Sequence, residues 1–141
     1  MTTPNVYAIP GMNATIDDRV IGEDVLDQIL NELISTVKGA SAAIFVDGDG
    51  EAIVQAGDSR RDIKLLGAWK EIHLDRIKKI TAQLGLGSVQ AVLFSLDEGN
   101  ELIAPVGQDY CLILFMSSFS DIRQAITEMM KSIELLKKDI E

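Results

Sequence analysis

Gly39-Ala-Ser-Ala-Ala-Ile-Phe-Val-Asp-Gly-Asp-Gly-Glu-Ala-Ile-Val54 is the stretch that decides how this chain folds. Ala42 to Val46 is a short apolar run, and Ala52 to Val54 is a second. Between them, Asp47-Gly-Asp-Gly50 supplies the residue types that accept positive φ, so the two runs make a β-hairpin across a tight turn. The same turn invites a calcium reading, but an EF-hand loop needs glycine at its sixth place and glutamate at its twelfth. Counted from Asp47, those places hold Ala52 and Asp58, so the turn is structural.

Upstream, Val25, Leu26, Ile29, Leu30, Leu33, Ile34 and Val37 recur at three- and four-residue steps, the signature of one helix face. Glu23 and Asp24 open this first helix, where acids suit the dipole, and Lys38 and Gly39 close it. Residues 1–22 carry Pro4, Pro10, Gly11 and Gly22 without a period. They are expected to be an arm, flexible or with one short added strand around Val6 to Ile9. The domain proper is then 23–141.

Downstream, Gly57-Asp58-Ser59 breaks the second strand and offers a helix cap. Arg60 to Leu84 reads as a second helix, with Ile63, Leu66, Trp69 or Lys70, His73, Ile77, Ile80 and Leu84 on its period. Gly85-Leu-Gly-Ser88 leaves that helix and enters a strand, so it is a C-cap and not a phosphate cradle, which leads from strand into helix. Three strands follow, Val89 to Leu96, Glu101 to Val106 and Tyr110 to Met116. Their short connections require antiparallel neighbours. A third helix carries Ile122, Ile126, Met129, Met130, Ile133 and Leu136. The order is α-β-β-α-β-β-β-α.

Ala91 to Phe94 and Cys111 to Met116 are apolar at every position, so both faces of the sheet need cover. Three helices leave one face short, and a second subunit is the simplest remedy. At 141 residues, 47% apolar and 25% charged, the chain is one ordinary globular domain. A net charge of −9 opposes binding to nucleic acid or anionic membranes. The longest apolar run, Tyr110 to Met116, is far below the roughly 20 residues of a membrane helix. With no positive leader and hydrophobic stretch at the N-terminus, a cytoplasmic protein is expected.

His73 and Cys111 each occur once, and neither has neighbours spaced to form a nucleophile, acid–base pair or metal site. No catalytic residue, cofactor or metal ligand is expected. Arg60 to Leu84, however, holds seven basic and three acidic residues, +4 within a chain of −9, leaving −13 elsewhere. A charge run is ordinarily a solvated face. Trp69 and Ile72 lie among these charges, and Trp and Arg beside apolar residues are typical interface anchors.

The succession of elements and two local stretches make the chain resemble the roadblock family, which includes roadblock-type dynein light chains and MglB-like regulators of small GTPases. The first stretch is Gly39 to Asp47 with Asp49-Gly50 and Ala52-Ile53. The second ends in Pro105-Val-Gly107 and Tyr110 to Leu114. The likeness spans about residues 23–139, and helix two is more charged than the family pattern. It implies an α+β sandwich with a five-stranded antiparallel sheet, helices one and three on one face and helix two on the other. It also implies a homodimer paired through helix two and the third strand. The dimer interface would hold Leu66, Ile77, Ile80, Val89, Ala91 and Leu93. Leu65, Trp69, Ile72, His73 and Arg76 would meet a partner, expected to be a small Ras-like GTPase, regulated without enzymatic chemistry by the protein itself. Arg60, Arg61 and Arg76 could each supply an arginine finger in principle, but none is assigned that role. The rival class is a structural adaptor for a motor, cytoskeletal or signalling peptide. A small-molecule sensor ranks last, because the apolar strands carry no polar cluster to orient a ligand.

Overall fold

Asp47 holds the first hairpin closed. Its side-chain oxygen Oδ1 accepts from the backbone N–H of Asp49 (2.9 Å) and of Glu51 (3.0 Å). The Asp47 and Glu51 backbones also bond directly, and Gly50 takes φ +81°. In the computed structural model, which describes residues 18–58 and 62–140, this turn joins β1 (Ala40–Asp47) to β2 (Ala52–Gly57). The remaining elements are α1 (Asp18–Thr36), α2 (Ile63–Gln83), β3 (Val92–Leu96), β4 (Gly99–Val106), β5 (Tyr110–Met116) and α3 (Ile122–Ile140).

All four strand pairs are antiparallel, and the sheet order is β2-β1-β5-β4-β3. β1 and β5 are central, and Ala42 to Val46 are fully buried. Alternate strand residues feed two cores. On one face, Ala43, Phe45, Leu102, Leu112 and Leu114 pack under Leu26, Leu30 and Leu33 of α1 and Met129, Ile133 and Leu136 of α3. On the other, Ile44, Val46, Ile103, Ile113 and Phe115 meet Leu74 and Leu66 of α2. The expected sandwich, with α2 alone on its face, is the observed one.

The two helices of the first face are tied end to end. Gln124 donates from Nε2 to the Thr36 carbonyl (3.0 Å) and accepts from the Lys38 N–H (3.2 Å), satisfying groups that the α1 terminus leaves open. Asp121 caps α3 through the N–H groups of Arg123 and Gln124.

The starts of α1, β3 and β4 differ from expectation, β4 opening at Gly99 instead of Glu101. α1 begins at Asp18, five residues before Glu23, so residues 18–22 of the expected arm are helical. Glycine early in a helix costs only about 1 kcal/mol, and the helix runs through Gly22. The expected strand at Val6 to Ile9 lies outside the described residues. β3 begins at Val92 instead of Val89. The cause is on the neighbouring strand: pairing runs from Leu96–Gly99 to Val92–Ile103, and the next hydrogen-bonded position would set Gln90 opposite Pro105, which has no N–H to donate. α2 is described from Ile63, so Arg60, Arg61 and the Ser59 cap lie outside the described residues.

Candidate partner-binding and self-association surface

α2 sits on β1 through its one small buried residue. A Cβ on Gly67 would stand 3.1 Å from Val46 Cγ1 and 3.3 Å from Ile44 Cδ1, so the missing side chain sets how closely helix and sheet approach. One residue on, Ala68 lies against Gly50 of the β1–β2 turn. On the other side Lys70 reaches the far strands. Its Nζ lies 3.1 Å from Glu101 Oε1 on β4 and 4.4 Å over the Phe94 ring on β3. The two ion-pair side chains are only 14% and 5% exposed. Glu101 and Phe94 are direct cross-strand partners, so one lysine ties α2 to both.

The helical period offered either Trp69 or Lys70 for the sheet. The structure selects Lys70, with Leu74 one turn later, and leaves Trp69 54% exposed. Trp69, Ile72 (45% exposed), His73, Arg76 and Ile80 (53%) follow at three- and four-residue steps. They occupy the flank of α2 turned toward the β3 edge, away from the β1–β2 turn. The Trp69 and His73 rings stand 6.2 Å apart. Leu65 precedes Trp69 by one turn of the helix.

The residues expected at a dimer interface divide between the two sides of that edge. Leu66 is half-buried against the core under α2, as is Val89, and Ile77 is also half-buried. Ala91 packs against the opposite core and Leu93 is exposed on that side, while Leu96 at the strand end is exposed on the α2 side. β3 therefore presents an outer edge with no strand beside it among the described residues, and apolar side chains on both faces. Such an edge calls for a partner. Sequence reasoning does not single out Lys70 and Glu101 as a pair. The usable signal is a lysine in phase with the buried row and a glutamate leading directly into the apolar run Leu102 to Val106.

The β1–β2 turn brings Asp47 and Asp49 toward α2. Partial burial, then Asp75, push the Glu71 carboxyl above its usual range, with Asp49 and Asp47 adding to this and Lys78 opposing it. Among the described residues no group of His, Cys, Asp or Glu could hold a metal ion. Cys111 is buried in β5, and burial, with a smaller push from Glu71, raises its thiol to about 12, which keeps it un-ionised and unreactive. No described helix is long and apolar enough to cross a membrane.

No family model matches the chain, and no curated protein matches it. Solved structures do. The chain is similar to a Roadblock/LC7 domain from Streptomyces avermitilis at 17% identity and TM-score 0.75, over 81% of this chain and 96% of that one. It is similar to the gliding protein MglB from Thermus thermophilus at 12% identity and TM-score 0.76, over 84% and 90%. The chain has the roadblock fold. A further roadblock-fold structure, described as MglB with a tetrameric arrangement, matches at 12% identity and TM-score 0.77, over 84% and 89%. Shared architecture at such identities lies in the backbone and the core pattern.

Proposed function

We propose that this roadblock domain is a non-enzymatic homodimer, joined along α2 and β3, and that the dimer regulates or serves as a platform for a small Ras-like GTPase. The observation that carries the reading is the apolar flank of α2, with Trp69, Ile72 and Ile80 exposed beside an uncovered β3 edge. A lone copy leaves both in water; a twin placed edge to edge hides the strand edge and Ile80 and leaves Trp69 and Ile72 open to a partner. The tetrameric arrangement of one MglB neighbour with the same fold supports self-assembly.

Two paired α2 helices make an apolar platform with Arg76 at its surface. Such a platform acts on a GTPase by binding one arrangement of its mobile segments better than the other, and shifts their balance only by that difference in affinity. Light scattering on the native chain and on Leu93→Lys tests the first half: a dimer that becomes monomeric is expected. If both proteins are monomers at high concentration, the reading fails. Phosphate release from a Ras-like GTPase, with and without the domain, tests the second half. A changed rate supports a regulator, binding with an unchanged rate supports the adaptor alternative, and absence of binding removes the GTPase.

A further inference from the structure

Where the β3–β4 ladder ends at Val92–Ile103, short of Pro105, residues 87–90 stand off from β4, and a cavity of about 430 Å³ lies between them. That volume falls within the range of small-molecule sites, roughly 300 to 1,000 Å³. Both helical layers reach it. α2 contributes Lys78, and α3 contributes Met130 and Lys137, with Gln90 and Gln108 at the sides and Val89 against the apolar wall. One carboxylate is present: Glu134 lies 3.7 Å from Lys137, but its side chain is 72% exposed. The rim therefore carries two cations against one anion, in a chain of net charge −9. Two carbonyls of the α2 terminus, which would oppose an anion, are already occupied. Leu86 donates to Thr81 (2.9 Å) and Gly85 to Ala82 (3.1 Å).

We propose that this cavity binds a small organic acid, its carboxylate held by Lys78 and Lys137 and its apolar body lying on Val89 and Met130. The polar cluster missing from the strands is thus found at the rim of the sheet, where a proline has interrupted pairing. The site goes beyond the GTPase reading and does not depend on it. Lys78 is nine residues from Trp69, two and a half turns, and so faces the opposite side of α2.

The test titrates benzoate into the isotope-labelled full chain and follows the backbone amide resonances of residues 87–90 and Gln108. Saturable shifts confined to these amides are expected. Lys78→Met combined with Lys137→Met should weaken binding by about tenfold or more, the scale of one charge-assisted hydrogen bond. Pro105→Val should do the same by another route, because valine restores the N–H, lets residue 90 rejoin the ladder and closes the gap. Absence of saturable shifts in the native chain, or native affinity retained in both variants, overturns the proposal. Should either variant fail to fold, the other decides.

Discussion

Replacing Lys70 by methionine keeps the stem that packs under α2 and removes only the charge. Glu101, whose side chain is 5% exposed, then loses its 3.1 Å ion pair with Lys70 while staying buried. Removing one member of a buried pair costs about 3 to 5 kcal/mol, because the remaining charge stays desolvated. We expect about 3 kcal/mol, which in a domain of this length lowers Tm by roughly 6 to 12 °C. The reverse change, Glu101→Leu, is milder. The Lys70 side chain is 14% exposed, close to water, and keeps the Phe94 ring 4.4 Å away, so the loss should be about 1 to 2 kcal/mol. The double variant Lys70→Met with Glu101→Leu puts two apolar side chains where the pair was. It should return to within about 1 kcal/mol of the native chain or exceed it. The singles sum to about 4 to 5 kcal/mol, so the cycle should show coupling of about 3 kcal/mol. Urea unfolding of the four proteins at one fixed concentration measures this, since association shifts apparent stability. A double variant that loses the full sum of the singles would refute the claim that the two charges are held by one another.

Gly67→Leu should destabilise by about 2 kcal/mol or more, because the new side chain meets Val46 and Ile44 at once; urea unfolding reads it. Cys111 ionises at about 12 in the folded chain against an ordinary value of 9.0. The unfolded thiol ionises first, so the stability this group contributes is complete below pH 9 and is lost as pH rises from 9 toward 12, at up to about 1.4 kcal/mol per pH unit. Cys111→Ala should remove that part of the alkaline slope in a pH series of unfolding curves. Trp69→Ala with Arg76→Ala should leave circular dichroism and Tm nearly unchanged, since both side chains are exposed, while weakening partner capture; an unfolded double variant would place Trp69 in the core.

The hairpin was legible because its cause is local: Asp47 bonds to the backbone two and four residues ahead, and Gly50 takes the required φ. β5 was legible to its end residues because nothing interrupts its apolar run. The helices on the α1 and α3 face showed their period for the same reason, with one clean stripe each. The start of β3 was not legible from β3 itself. Val89 to Ala91 have good strand character, and what stops them is a proline fifteen residues later, on a strand whose register only the fold supplies. The phase of α2 was blurred for a related reason. Trp69 is the more apolar of two adjacent candidates, yet Lys70 goes inward because Glu101 and Phe94 await it there. Hydropathy cannot rank a lysine above a tryptophan until its counter-charge is located in space.

The two sides of the sheet are held with unequal strength. Beneath α1 and α3 lies a broad apolar layer, and these helices are also pinned to each other by Gln124. α2 rests on a smaller patch through Leu74 and Leu66, with one close glycine contact and one buried lysine beside them. Amide protons of α2 should therefore trade with deuterium sooner than those of β1, β5 or α3, through an opening that leaves the rest of the architecture standing. A molecule engaging the Trp69 row can thus tilt or lift that helix at small cost, while the scaffold carrying it stays rigid.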